Sequence, residues 1–187
     1  MTEPSKQYRR QSNRLAGWDY SSSGYYFVTI CTRERRPFFG EVVGDEIQLS
    51  PIGEIIAEEW QKTADIRPNI SLDAWVIMPN HLHAIVSIQP SEDNDATTRW
   101  DVSQRDGTSS NAPKNWRSNS LGTIINQFKS KCTKRIRAAG HTDFGWQSRF
   151  YDHIIRNDQS LAQIRTYIQN NLSQWNLDKE NPDRESP

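Results

Sequence analysis

The order of apolar patterns along the chain is the feature that most restricts its fold. Segments rich in β-branched and aromatic residues predict four strands, at residues 25–32, 70–78, 81–88 and 149–156. Apolar residues at helical spacing predict three helices. The first opens at residue 51, and the second covers residues 121–136. The third carries the apolar residues Leu161, Ile164, Ile168 and Leu172. The order β-α-β-β-α-β predicts an α+β fold with a ferredoxin-like antiparallel sheet, two helices on one face and an additional C-terminal helix.

Length and composition favour a single domain. We divide the 187 residues into a basic N-terminal arm (1–16), one domain (17–175), a polar insertion within that domain (89–119) and a charged tail (176–187). No apolar run approaches the ~20 residues that span a bilayer, and the N-terminus is too polar for a secretory signal. Two cysteines are too few for a disulfide scaffold. We therefore expect a cytoplasmic protein in a reducing compartment.

Charge is balanced overall but unevenly distributed. The chain has 23 basic and 23 acidic residues, which argues against a uniformly basic nucleic-acid binder. The arm nevertheless holds Lys6, Arg9, Arg10 and Arg14 against a single acid, Glu3. Residues 113–140 contain basic side chains and no acidic one: Lys114, Arg117, Lys129, Lys131, Lys134, Arg135 and Arg137. Such a stripe predicts a polyanion-binding surface, and the alternative is a solvated helix face.

The His81-Leu82-His83 pattern predicts a metal site. On a strand, both imidazoles point to one face and Leu82 points to the other. Two neutral imidazoles can hold one divalent ion, but they are too few to close a structural zinc site, which needs four ligands. The pattern therefore fits an open, catalytic site with one further oxygen ligand. The alternative is a pair of sheet histidines that are hydrogen-bonded to their neighbours.

The last predicted helix carries two polar residues at the edge of its apolar stripe. Tyr167 and Asn171 are four residues apart, so they lie one turn apart on the same side of the helix. A residue at that edge can face a site between helix and sheet. The alternatives are an amphipathic tyrosine at the rim of the core and an asparagine near a helix end.

Several motifs match, in order, those of a known family. They are YFVTICT at 26–32, VIMPNHLH at 76–83, LGTII at 121–125 with FKS at 128–130, WQ at 146–147 with FYDHIIR at 150–156, and IRTYIQNN at 164–171. From about residue 17 to residue 175, the chain resembles the REP-associated tyrosine transposases, a branch of the single-tyrosine HUH transposases. It departs from the family at Leu172, where relatives often have proline, and in its longer polar insertion.

The resemblance implies roles for individual residues. It implies that His81 and His83 bind the metal, that Tyr167 is the nucleophile and that Asn171 completes the metal site. Tyr151, in a Tyr-x-His pattern, is the main rival for the nucleophile. Further candidate DNA contacts are His153, which is expected to line the DNA path by this resemblance, and Arg156 close to it. The others are basic residues of the arm and the stripe: Arg9, Arg10, Arg14, Lys129, Lys131, Lys134, Arg135 and Arg137.

The resemblance also implies a function. It implies cleavage and strand transfer of single-stranded DNA at hairpin-forming repeats, with Mg²⁺ or Mn²⁺ as cofactor and a 5′-phosphotyrosine intermediate. We expect a nucleoid-associated monomer or homodimer, with no membrane partner. Three alternatives stay open: a domesticated hairpin-binding protein that no longer transposes, an RNA-binding ferredoxin-like module, and a metal-dependent hydrolase that uses water.

Overall fold

The computed structural model describes residues 15, 17–90, 120–178 and 181. The described residues form β1 (Gly24–Cys31), β2 (Gly40–Val43), β3 (Glu46–Leu49), α1 (Pro51–Asp65), β4 (Ile70–Met78), β5 (His81–Ile88), α2 (Leu121–Ala138), β6 (Tyr151–Ile155) and α3 (Asp158–Gln169). Short 3-10 helices lie at Arg33–Arg35 and Trp175–Leu177. Arg9, Arg10 and Arg14 of the predicted arm, and residues 91–119 of the predicted insertion, lie outside the described residues.

The main sheet has four antiparallel strands in the order β4-β5-β1-β6. The strands that α1 connects, β1 and β4, are separated by β5, which is the split βαβ arrangement. The prediction of an α+β fold with an antiparallel sheet is therefore confirmed. Because β5 has a hydrogen-bonded neighbour on each side, its backbone is fixed along its whole length.

A hairpin between β1 and α1 was not predicted. Strands β2 and β3 pair with each other in a separate two-stranded sheet, joined at Gly44, whose φ of +64° suits glycine. The chain at both ends of the hairpin contacts the start of α1 so closely that a Cβ at Gly53 would clash with the carbonyl oxygen of Phe39, just before β2, and crowd the side chain of Leu49 in β3. Each strand has only four residues and no fully buried face, so its apolar pattern is too short to recognise.

The two faces of the main sheet have different partners. Alternate residues of β1 and β5, such as Tyr26, Val28 and Leu82, join the large core together with α1 and α2. The residues between them face α3, where Phe27 and Ile85 pack with Leu161, Ile155 and Ile168. The sheet thus separates a core formed with α1 and α2 from a second layer formed with α3.

Each α-helix of the described residues follows a residue whose side chain accepts a hydrogen bond from the first turn: Ser50, Ser120 and Asn157. Helix α2 ends at Ala138, two residues beyond the predicted range of 121–136, but α3 ends at Gln169 and does not reach Leu172. Asn171 therefore lies in the turn after α3, so the predicted helical pairing of Tyr167 with Asn171 is wrong in this detail. No helix in the described ranges is long and apolar enough to cross a membrane.

Candidate metal and nucleophile site

Both histidines of the His-x-His pattern lie on the face of β5 that is turned towards α3. His81 and His83 are buried, their ring centroids are 4.3 Å apart, and Leu82 between them points into the large core. The alternation predicted from the sequence accounts for this arrangement. The register places His81 opposite Cys31 and His83 opposite Thr29 of β1.

Neighbouring polar groups orient both rings. Asn80 donates from Nδ2 to the carbonyl oxygen of Arg35 (3.0 Å), so its Oδ1 is the atom that contacts Nδ1 of His81, at 2.8 Å. Because an amide oxygen only accepts, Nδ1 of His81 is the donor in this contact, and in the neutral ring Nε2 is then the nitrogen with the lone pair. Nδ1 of His83 lies 2.9 Å from Oγ1 of Thr29. Such contacts to the second ring nitrogen are typical of metal-binding histidines.

Tyr167 projects from α3 to the His pair. Its Oη lies 3.2 Å from Nε2 of His83, and its ring stands edge-on to Phe27 at a centroid distance of 6.1 Å. Arg165, two residues earlier, forms a bidentate ion pair with Asp73 of β4, with distances of 2.8 and 2.6 Å. This pair and the apolar contacts of Ile168 attach α3 to the sheet and fix the position of the tyrosine.

Asp178 is a site residue that the sequence analysis missed. Its Oδ2 lies 3.9 Å from Nε2 of His81 and 4.0 Å from Nε2 of His83, and its side chain is only 4% exposed. The described residues of the predicted charged tail are thus partly enclosed: Trp175–Leu177 form a 3-10 helix, and Asn181 is also buried. The signal available in the sequence was Trp175, an aromatic residue just before the charged stretch.

Asn171 also reaches the site. It is buried, and its Oδ1 accepts no hydrogen bond from any described residue. Leu172, where the sequence departs from the family's pattern, leaves Asn171 in place after the end of α3. A buried carbonyl oxygen of this kind needs a donor or a cation.

These groups line one open cleft of about 390 Å³, formed by Phe27, Thr29, His83, Tyr151, Tyr167, Asn171, Gln174, Leu177 and Asp178. Both candidate tyrosines are accessible there, with Tyr167 40% and Tyr151 44% exposed. They differ in their contacts, because the hydroxyl of Tyr167 is the one within hydrogen-bond distance of the His pair. The geometry therefore favours Tyr167 over Tyr151.

The residues fit a divalent ion. One nitrogen from each of His81 and His83 and one oxygen of Asp178 lie within 4.8 Å of one another, and all three residues are buried. Mixed imidazole and oxygen donors suit several divalent ions, and carboxylate and carbonyl oxygens favour Mg²⁺ and Mn²⁺. The buried oxygen of Asn171 in the same cleft is a further donor.

The predicted DNA contacts are distributed over both sides of the sheet. His153 pairs with Phe27 in the register of β1 and β6, so it lies on the α3 face, where it is exposed, as is Arg156 just beyond β6. Helix α2 packs on the opposite face. Its accessible basic residues therefore lie away from the cleft: Lys131, Lys134, Arg135 and Arg137.

Two of the basic residues on α2 have partners within the protein. Arg135 pairs with Glu59 at 2.7 Å and with Glu58 at 2.8 Å. Lys129 is buried, and its Nζ donates to the carbonyl oxygens of Gln147 (2.9 Å) and Arg149 (3.1 Å). The placement of Lys129 does not agree with the prediction of a phosphate contact, because its ammonium group is enclosed by the protein.

Comparison with known proteins gives relatives with and without an assigned function. No family model matches the chain. The chain is 33% identical over 172 residues to an uncharacterized protein of Haemophilus influenzae, covering 92% of this chain and 93% of that protein. It is 27% identical to a REP-associated tyrosine transposase of Escherichia coli, covering 80% of this chain and 66% of the relative. A putative REP-associated tyrosine transposase of H. influenzae is 25% identical, with 80% and 70% covered.

A solved structure with a similar fold is also found. It is a REP-associated tyrosine transposase bound to a REP hairpin, with a TM-score of 0.51 and 24% identity, covering 88% of this chain and 73% of that one. This similarity supports the α+β architecture described above.

Proposed function

We infer that the chain belongs to the family of REP-associated tyrosine transposases, and we propose that it cleaves and rejoins single-stranded DNA at hairpin-forming repeats through Tyr167. The similarity to these transposases supports a DNA-processing enzyme. Hairpin DNA as the partner is supported by the relative of the same fold that was solved with a REP hairpin. The single observation that carries the chemistry is the 3.2 Å contact between the Tyr167 hydroxyl and the buried His pair.

The proposed step is a transesterification. Oη of Tyr167 attacks the scissile phosphorus, the bond from phosphorus to the 3′ oxygen breaks, and the DNA is left with a free 3′-OH and a 5′-phosphotyrosine. The phenol, whose free pKa is about 10, gives up its proton during the attack, and the leaving 3′ oxygen takes one up. Attack by a 3′-OH on the phosphotyrosine reverses the step and joins a strand, so no ATP is needed.

The remaining residues bind and position. His81, His83 and Asn171 are the proposed ligands of Mg²⁺ or Mn²⁺, which when bound polarises the scissile phosphate. Asn80 and Thr29 hold the two imidazoles in place. Phe27 and Tyr151 offer aromatic surface in the cleft, on which an unpaired base can stack. His153 and Arg156 are proposed contacts to the DNA on the same face.

The test is capture of the covalent adduct. The purified protein is incubated with Mn²⁺ and fragmented single-stranded DNA from its source organism, and a denaturing gel is examined for protein shifted by attached DNA. We expect a shift with the wild type and with Tyr151→Phe, and at least a 100-fold lower yield with Tyr167→Phe or with EDTA. Tyr151→Phe is the matched control, because it removes the same hydroxyl from the same cleft.

Each other outcome favours an alternative. Loss of the adduct only in Tyr151→Phe would reassign the nucleophile. If the DNA is cleaved without forming an adduct, and Tyr167→Phe still cleaves it, the protein would be a hydrolase. Salt-sensitive DNA binding without any cleavage would indicate a domesticated hairpin-binding protein, and tighter binding to RNA of the same sequence would indicate an RNA-binding module.

A further inference from the structure

We propose that Asp178 is an additional protein ligand of the metal, and that the C-terminal segment Trp175–Asp178 must dock on the sheet for tight metal binding. This inference rests on the proposed function, since it concerns the metal site of the proposed reaction. The resemblance assigned the metal to His81, His83 and Asn171. Asp178 adds a charged oxygen ligand from a segment beyond the tyrosine helix.

The first argument is distance. At 3.9 and 4.0 Å, Oδ2 of Asp178 is beyond hydrogen-bond distance of the nearest ring nitrogens, Nε2 of His81 and Nε2 of His83. Ligands of one Mg²⁺ ion at about 2.1 Å are separated by about 3 Å when adjacent and about 4.2 Å when opposite. The three donor atoms are thus spaced as ligands around a common ion, with a movement of less than about 1 Å needed for binding.

The second argument is charge. Asp178 places a negatively charged oxygen, on a side chain that is only 4% exposed, beside two imidazole nitrogens, and mixed imidazole and carboxylate donors suit a divalent ion. The hydrogen bond from Nδ1 of His81 to Asn80 leaves the lone pair of Nε2 directed at the same space as the carboxylate. Two electron-rich atoms that face each other across 3.9 Å are stabilised when a divalent ion lies between them.

The third argument is that the segment is built to hold Asp178 in place. The backbone N–H of Asp178 donates to the carbonyl oxygen of Trp175 at 3.0 Å, which closes the 3-10 turn. Asn181 donates from Nδ2 to the same carbonyl oxygen at 3.1 Å. The ring of Trp175 lies 6.1 Å from that of His81, measured between centroids. Metal binding would therefore fasten this segment to the sheet, next to Tyr167.

The experiment measures Mn²⁺ affinity of the full chain without DNA, by electron paramagnetic resonance of the free ion. Asp178→Asn keeps the shape of the side chain and removes its charge, and Asp65→Asn at the exposed end of α1 is the matched control. We expect Kd to rise at least tenfold in Asp178→Asn and to stay within twofold in Asp65→Asn. Asn181→Ala, which loosens the segment and leaves the carboxylate intact, should raise Kd by about threefold. Circular dichroism confirms that each variant is folded.

The outcomes separate this inference from the function on which it rests. An unchanged Kd in folded Asp178→Asn, with a large loss in His81→Ala, would overturn the role of Asp178 and leave the His pair as the metal site. An unchanged Kd in His81→Ala as well would contradict the metal site itself. If Asp178→Asn does not fold, Asn181→Ala decides, because an unchanged Kd there contradicts the requirement for a docked segment.

Discussion

Lys129 illustrates, at the scale of a single residue, how burial changes the role of a charge. Its side chain is 8% exposed, and its amine donates hydrogen bonds to two carbonyl oxygens of the segment that leads into β6. The ring of Trp146 lies 5.8 Å from Nζ. Burial lowers the pKa of this lysine to about 8. The residue therefore acts as an internal connection between α2 and the next segment.

The lowered pKa of Lys129 predicts a specific pH dependence of stability. Between pH 8 and about 10.5, this lysine is protonated in the unfolded chain but has lost its proton in the folded chain. The free energy of unfolding therefore increases with pH in this range. We expect the stability of the wild type relative to Lys129→Met to increase between pH 7.5 and 9.5, measured by urea denaturation. The exposed Lys134→Met on the same helix is the control and should show a constant difference. A constant difference for Lys129→Met would contradict the prediction.

Helix α3 is the element that carries the nucleophile to the metal site. It is only 12 residues long, and its contacts with the sheet include the bidentate Arg165–Asp73 pair, the apolar contacts of Leu161 and Ile168, and the contact of Tyr167 with His83. Isolated helices of this length are marginal, so its ends matter. Its first turn is closed by the side chain of Asn157, which accepts from the backbone N–H of Ser160 at 2.8 Å.

Removal of this N-cap should weaken the whole helix. We expect Asn157→Ala to lower the free energy of unfolding by about 1 kcal/mol, because the N–H of Ser160 loses its acceptor. Hydrogen exchange should show the loss of protection in α3 first. Asn157→Asp keeps an acceptor oxygen and should remain within about 0.3 kcal/mol of the wild type. Equal destabilisation by both substitutions would show that the cap is not the cause.

The whole molecule is organised by the two faces of one sheet. One face builds the large core with α1 and α2, and the other carries the cleft under α3. The basic residues of α2 are therefore separated from Tyr167 by the sheet. DNA that is bound at Tyr167 can contact α2 only if it extends around the molecule. Such contacts would raise the affinity for DNA and would not take part in the reaction at Tyr167.

Charge removal on α2 tests this division. We expect the combined variant Lys131→Gln, Lys134→Gln and Arg137→Gln to weaken DNA binding and to reduce the salt slope of affinity by up to about 2, at about 0.7 per phosphate contact. The yield of the Tyr167 adduct at saturating DNA should be unchanged. Lys62→Gln on α1 is the control for charge removal away from the stripe. A lower adduct yield at saturating DNA would mean that α2 takes part in the reaction.

The sequence was sufficient wherever the relevant pattern is local. The alternation of β5 determined that His81 and His83 share one face, and helical spacing placed Tyr167 at the edge of an apolar stripe. Strand and helix order then predicted the split βαβ sheet, because each long element carries its own periodicity. The short β2–β3 hairpin was beyond such patterns, since strands of four residues give too few alternations. The periodicity of α3 also did not predict where that helix ends.

Only the tertiary structure decided which groups distant in the sequence meet. Asp178 joins the His pair because the turn at Trp175–Leu177 folds the chain back onto the sheet, and nothing in the composition of the charged tail predicts this. Lys129 and Lys131 are two residues apart and look alike in the sequence, but only Lys129 is enclosed, because the segment before β6 covers it. Periodicity is a property of one segment, whereas burial and ligand geometry depend on the surfaces that several segments bring together.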